Sequence, residues 1–130
     1  MIERHWNADL LAKIFGLVFI VVGIAGFFEN PLVSETGIFR VNEAHNLVHI
    51  VTGALFFAGA YMGWSARAIR GIAVLYTAVA IIGFAIPDNM LFGVVAMNLA
   101  DRWLHAALAG ALLLVGFVTP AHEEMRHSQM

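Results

Sequence analysis

Long apolar runs dominate the chain, and short polar stretches divide them into four segments. The apolar segments cover about Leu10–Phe28, Asn46–Trp64, Ile69–Ile86 and Met97–Val118. Each is close to the 20 or so residues that an α-helix needs to cross a bilayer core about 30 Å thick. None alternates with the period of a β-strand, and a helix satisfies its own backbone hydrogen bonds in lipid. The pattern therefore predicts an all-α bundle of four transmembrane helices.

The composition agrees with a protein whose solvent is the lipid bilayer. Of the 130 residues, 61% are hydrophobic and 12% are charged, against roughly a quarter charged in soluble domains. We expect a single integral membrane domain over residues 1–130, with short polar tails. The net charge of -2 argues against a nucleic-acid partner, which requires a basic surface. The chain has no cysteine, so any metal site must use His, Asp, Glu or Met.

The distribution of positive charge predicts the orientation of the helices. Lysine and arginine residues concentrate on the cytoplasmic side of membrane proteins. Five of the seven fall in the N-terminal region, in the turn between the second and third segments, and in the C-terminal tail: Arg4, Lys13, Arg67, Arg70 and Arg126. The other two, Arg40 and Arg102, fall on the opposite side. Both termini are therefore predicted to be cytoplasmic.

Two stretches of the sequence resemble each other. The stretches "VNEAHNLVHIVTGALFF" and "MNLADRWLHAALAGALL" align without gaps, so that Asn42 matches Asn98, His49 matches His105, and His45 lies opposite Asp101. A weaker similarity between "VGIAGFF" and "VAIIGFA" extends the repeat to the first and third segments. We therefore predict two tandem helical hairpins, at about residues 10–64 and 69–118, related by a pseudo-twofold axis along the membrane normal.

The repeated polar residues fall on one face of each helix. Residues spaced i, i+3, i+4 and i+7 share a helical face. Polar side chains at membrane depth usually face the bundle interior and have a partner there. The two polar stripes are therefore expected to meet near the outer end of the bundle. They consist of Asn42, His45, Asn46 and His49 in the second helix and Asn98, Asp101, Arg102 and His105 in the fourth.

Three interpretations of this cluster remain open. In the first, it is a structural hydrogen-bond network in which Asn42 and Asn98 cap their helices. In the second, it is a site for Zn, Cu or Fe. The third is a haem held between His49 and His105. The ligands of the proposed metal site are His45, His49, Asp101 and His105.

No signature of catalysis accompanies the cluster. The sequence contains neither a Ser-His-Asp arrangement nor a glycine-rich phosphate loop. The leading hypothesis is therefore a non-enzymatic structural or accessory protein, with a membrane-protein partner or a second copy of itself. The alternative is a metal-binding or haem-binding membrane protein that transfers electrons or ions.

The order of these motifs resembles a known family. A first helix ending in "GFF", then "NEAHNLVHIVTG", a turn, a third helix and "NLADRWLHAALAG" is similar to small four-helix bacterial membrane proteins, the domain of unknown function 4383. The resemblance covers about Lys13 to Val118. It implies a multi-pass protein of the bacterial cytoplasmic membrane and assigns no chemistry. Its motif residues here are Asn46, His49 and Gly53, then Asn98, Asp101, His105 and Gly110.

Overall fold

The computed structural model describes residues 7–86 and 88–118, which form four α-helices and two short strand pairs. The helices are α1 (Ala8–Ala25), α2 (Glu43–Tyr61), α3 (Ser65–Ala85) and α4 (Leu99–Val118). The link from α1 to α2 contains a parallel pair, β1 (Val33–Ser34) with β2 (Phe39–Arg40). The link from α3 to α4 contains an antiparallel pair, β3 (Met90–Leu91) with β4 (Val95–Ala96). The predicted helical fold is confirmed. Two of the charged residues used to predict the orientation, Arg4 and Arg126, lie outside the described residues.

Length and apolar composition suit three of these helices to crossing a membrane. They are α1, α3 and α4, with mean hydropathies of 2.2, 1.9 and 1.4. The remaining helix, α2, carries His45, Asn46, His49 and Thr52, which reduce its apolar character. The chain therefore contains helices compatible with a membrane protein, and the crossing of α2 is taken up below as a proposal.

Several polar residues of α2 are buried, while many of its apolar residues are exposed. His45, Asn46 and His49 are all buried, whereas Leu47 and Val51 are more than half exposed. In water such an arrangement would leave apolar side chains solvated and polar groups dehydrated. In lipid it is favourable, because hydrocarbon contacts the apolar face and the polar groups lie inside the bundle.

The helices of each hairpin run antiparallel, and their ends are defined by local signals. Asn7 and Asn42 are the N-caps of α1 and α2. The α2–α3 turn contains Gly63 at φ 75°, a left-handed conformation that favours glycine. The Trp64 amide donates to the Gly59 carbonyl at 2.7 Å, as in a Schellman motif. This turn explains how α3 can begin only four residues after α2 ends.

The two ends of the bundle hold different parts of the chain. In the first hairpin, a Cβ at Gly53 would lie 2.7 Å from the Gly16 carbonyl oxygen, so α1 and α2 approach closely there. Ser65 donates to Asp9 at 2.6 Å, which joins the start of α3 to the start of α1. The opposite end therefore holds the starts of α2 and α4 with the links 26–42 and 88–98, and we call it the linker end.

Candidate functional site

Three buried histidines form a cluster near the linker end. His45 and His49 lie one turn apart on α2, and His105 lies on α4. One ring nitrogen from each histidine lies within 4.8 Å of those of the other two. The ring centroids of His45 are 4.5 Å from His49 and 5.5 Å from His105, and those of His49 and His105 are 6.4 Å apart. The tertiary structure thus brings together three of the four predicted metal ligands.

Backbone carbonyls determine the tautomers of two of these rings. His45 Nδ1 lies 2.7 Å from the Ala96 carbonyl oxygen, and His105 Nδ1 lies 2.6 Å from that of Asp101. Because a carbonyl oxygen only accepts, each Nδ1 must carry the proton. The neutral rings therefore have their lone pairs on Nε2. Histidines that bind metals are commonly oriented in this way by a second hydrogen bond.

His49 presents a nitrogen with unused hydrogen-bonding capacity. Its Nδ1 is buried and has no hydrogen-bond partner among the described residues. Leaving such a group unsatisfied costs about 1–3 kcal/mol. The ring contacts Phe19 edge-on, with centroids 5.8 Å apart. An apolar contact of this kind positions the ring without satisfying its nitrogen.

Tyr76 lies against the cluster, which the sequence interpretation did not anticipate. Its ring stacks on His105 with centroids 5.8 Å apart and an interplanar angle of 8°. Thr52 donates to the Val48 carbonyl at 2.7 Å, so the Tyr76 hydroxyl, 3.1 Å from Thr52 Oγ1, must be the donor between them. The sequence contained one signal, because Phe19 and Tyr76 are separated by the same interval as the similar stretches of the first and third helices.

Asp101 lies apart from the three-histidine group. One carboxylate oxygen accepts from the Asn98 amide, just before the start of α4, at 3.1 Å. The carboxylate also lies close to the Arg40 backbone in the α1–α2 link. This places the Asp101 side chain beside the link of the other hairpin, while the Asp101 backbone carbonyl accepts from His105 Nδ1.

Asn42 and Asn98 have reciprocal contacts. Asn42 Oδ1 accepts from the His45 amide at 3.0 Å, and its Nδ2 donates to the Val94 carbonyl at 2.8 Å. Asn98 Oδ1 accepts from the Asp101 amide at 3.0 Å, and its Nδ2 donates to the Ile38 carbonyl at 2.9 Å. Each asparagine thus caps its own helix and binds the link of the other hairpin.

Asn46 and Arg102 lie near the ends of α1 and α3. Arg102 donates from Nη2 to the Asp88 carbonyl at 2.7 Å, just after α3. Asn46 lies beside Gly26, the C-cap of α1, and its Oδ1 is buried without a hydrogen-bond partner among the described residues. Neither residue is part of the three-histidine group.

Comparison with known families identifies the chain. The family model of the domain of unknown function DUF4383 matches residues 10–118. The chain belongs to this family. No match is found among curated proteins or among solved structures. The family assigns no activity, so function has to be inferred from the geometry of the site.

Proposed function

We propose that this DUF4383 protein is a four-span protein of the bacterial cytoplasmic membrane that binds a transition-metal ion through His45, His49 and His105. The observation that supports it most is the convergence of nitrogens from three buried histidines within 4.8 Å. In two of them, Nδ1 is already committed to a backbone carbonyl, which leaves Nε2 as a free acceptor.

Buried acceptors that face one another favour a cation between them. Neutral rings with Nδ1 protonated have no proton on Nε2, so His45 and His105 cannot hydrogen-bond each other through Nε2. A metal ion between the rings would accept these lone pairs. Zinc–nitrogen bonds of about 2.0–2.1 Å place tetrahedral ligands about 3.4 Å apart. Small rotations of the rings would reach that separation from the present limit of 4.8 Å.

The donor set favours zinc or copper. Three imidazoles suit Zn and Cu, and three protein ligands leave a fourth position for water or another ligand. A haem fits less well, because a porphyrin between His49 and His105 would overlap the ring of His45, whose centroid is 4.5 Å and 5.5 Å from theirs. We therefore propose an ion rather than a haem.

The polar face of α2 supports a fourth crossing of the membrane. After Glu43 at its start, its polar side chains are buried in the bundle and its exposed side chains are apolar or aromatic, so the surface presented to lipid resembles that of the other helices. The reciprocal bonds of Asn42 and Asn98 likewise support two tandem hairpins as repeats of one unit. The excess of Lys and Arg supports cytoplasmic termini.

A structural or accessory role is the second candidate. The asparagine cross-links favour it, because they join the two hairpins without any ligand. In such a role the histidines would pack and hydrogen-bond within the bundle. A partner protein or a second copy would then contact the lipid-facing surface. The two candidates differ in their response to metal.

Thermal unfolding with and without metal distinguishes the candidates. Protein purified without a polyhistidine tag would be unfolded in detergent with added Zn²⁺ or Cu²⁺, and with chelator. A metal that binds only the folded form stabilises it by mass action, so we expect metal to raise the wild-type midpoint. At a metal concentration 100 times the dissociation constant, the free energy of unfolding increases by about 2.7 kcal/mol. His49→Gln and His105→Gln should lose this response, because each removes a ligand.

His5→Gln is the matched control, since it changes a histidine in the polar N-terminal tail. It should respond to metal like the wild type. If neither metal nor chelator changes the wild-type midpoint and no metal copurifies, the result would contradict the metal site and support the structural role.

A further inference from the structure

The charge of the three-histidine group bears on which ion it can hold. Among the residues that the structure describes, the group consists of His45, His49 and His105 and contains no carboxylate. A metal ion binds the neutral form of histidine, so the three rings add no charge of their own. An ion held between them therefore keeps the whole of its positive charge.

The charged side chains beside the group do not offset that charge. Asp101 lies one turn before His105 on α4, and its carboxylate accepts from the Asn98 amide. The same carboxylate interacts electrostatically with the guanidinium of Arg102, the next residue. Because each negative charge on Asp101 is matched by the positive charge of Arg102, the two side chains together contribute no net negative charge.

The hydroxyl groups beside the histidines are engaged with each other. Tyr76 donates to Thr52 Oγ1 at 3.1 Å, and Thr52 donates to the Val48 carbonyl at 2.7 Å. The other contacts of the histidine rings are aromatic, with Phe19 edge-on against His49 and the Tyr76 ring stacked on His105. These surroundings favour an ion that is satisfied by three nitrogen ligands.

Burial penalises a divalent ion more than a monovalent one. His45, His49 and His105 are 2%, 8% and 5% exposed. The cost of moving an ion from water into a protein interior grows with the square of its charge, so a divalent ion costs about four times as much as a monovalent ion of the same size. Zinc held by three histidines also takes a fourth ligand, usually water. A monovalent ion that accepts three ligands avoids both demands.

We propose that the ion at this site is monovalent copper, Cu(I). The proposal rests on the proposed metal site and specifies its ion. Imidazole is a good ligand for copper, and Cu(I), with its filled d shell, readily accepts three ligands in one plane. Potassium is also monovalent, but it is coordinated by oxygen, whereas this group offers only nitrogen.

Competition between Cu(I) and Zn²⁺ on the full chain tests the proposal. Untagged protein in detergent is kept without oxygen and with ascorbate, and it competes with a coloured Cu(I) chelator. We expect the protein to withdraw Cu(I) from the chelator, and a ten-fold excess of Zn²⁺ to leave that copper bound. X-ray absorption at the copper edge should then show three nitrogen ligands.

A change of charge at one ligand should reverse the preference. His49→Glu retains a ligand but adds a negative charge, and two histidines with one glutamate are a ligand set of zinc enzymes. In this variant Zn²⁺ should displace Cu(I). His49→Gln is the matched control, since it is similar in size and neutral. It should weaken the binding of both ions by at least about ten-fold, because even the loss of a group that only supports a ligand has that effect.

The outcomes separate this proposal from the metal site on which it rests. Tighter binding of Zn²⁺ than of Cu(I) by the wild type, or a fourth ligand in the copper spectrum, would overturn Cu(I) and leave the metal site standing. An unchanged preference in folded His49→Glu would overturn it as well. Binding of neither ion would overturn both proposals. If His49→Glu fails to fold, the wild-type competition still decides between the two ions.

Discussion

Asn42 and Asn98 each combine two roles in one amide side chain. The side-chain oxygen accepts from the first turn of the residue's own helix, and the nitrogen donates to the link of the other hairpin. Aspartate could cap the helix but has no donor, and lysine could donate but could not cap. These two bonds join the hairpins at the linker end, together with the bonds that Ala96 makes to His45 and Asn42.

Replacing these asparagines with aspartate removes the side-chain donor and keeps the acceptor, which in Asn42 also accepts from the Ala96 amide at 3.2 Å. Asn42→Asp and Asn98→Asp retain the cap but lose the bond to Val94 or Ile38, and they place carboxylate oxygen against a carbonyl. We expect each to reduce the free energy of unfolding by about 1 kcal/mol. Denaturant unfolding in micelles measures the change.

The matched control for this prediction is Asn7→Asp. Asn7 caps α1 by accepting from the Leu10 amide at 3.2 Å, and the structure gives it no bond to another hairpin. Its replacement should leave stability within about 0.5 kcal/mol, because Asp and Asn cap about equally well. Equal effects at all three positions would show that the cross-links contribute nothing.

At the scale of elements, glycine determines where the helices of the first hairpin touch. Gly16 and Gly53 face each other, and a Cβ on Gly53 would meet Ile20 Cγ1 at 2.5 Å. Gly110 also lies within a helix, but nothing lies within 4 Å of a Cβ built there. The small residue in "ALAG" therefore does not bring α4 against another described helix, whereas the one in "VTG" brings α2 against α1.

This contrast predicts opposite results from the same substitution. Gly53→Ala should destabilise the protein by about 1–3 kcal/mol, because the nearby backbone of α1 must move to accommodate the methyl group. Gly110→Ala should leave stability unchanged or raise it by up to about 1 kcal/mol through helix propensity. Thermal unfolding of both variants is the measurement. Equal destabilisation by the two would contradict the close approach of α1 and α2.

At the scale of the whole molecule, the central question is whether α2 crosses the membrane. The other three helices have the length and composition of spans. If α2 also crosses, its polar residues are shielded by the bundle and the two links lie on the same side. If it does not, the two ends of α2 lie on one side, and the buried histidines would not face a membrane interior.

Cysteine labelling distinguishes these topologies, because the chain has no cysteine of its own. Thr36→Cys and Met62→Cys lie on opposite sides of α2 in the sequence, and both positions are exposed. We expect a membrane-impermeant maleimide to label Thr36→Cys in intact cells and Met62→Cys only in everted vesicles. Ser65 is less suitable than Met62, because it is buried and bonded to Asp9. Labelling of both variants from one side would exclude a crossing by α2.

The helices could be predicted largely from the sequence, although the apolar segments alone do not mark their starts. The apolar segment of α2 begins at about Asn46, whereas the helix begins at Glu43, as the interpretation of Asn42 as its N-cap predicts. The apolar pattern does not include the first turn of α2, which consists of Glu43, Ala44 and His45. The N-cap Asn42 indicates where that turn begins. The sequence also identified all three clustered histidines, because periodicity along one helix places residues on a common face.

What the sequence by itself determined was local: four apolar helices, the polar stripe of each repeated stretch, and the matching asparagines. These follow from spacing along a single helix and from the composition of each segment. Only the tertiary structure decided that Asp101 lies close to the link of the other hairpin and that Tyr76 stacks on His105. Contacts of that kind depend on how α2, α3 and α4 rotate and pack against one another, and small differences in side-chain shape along the whole interface determine that packing.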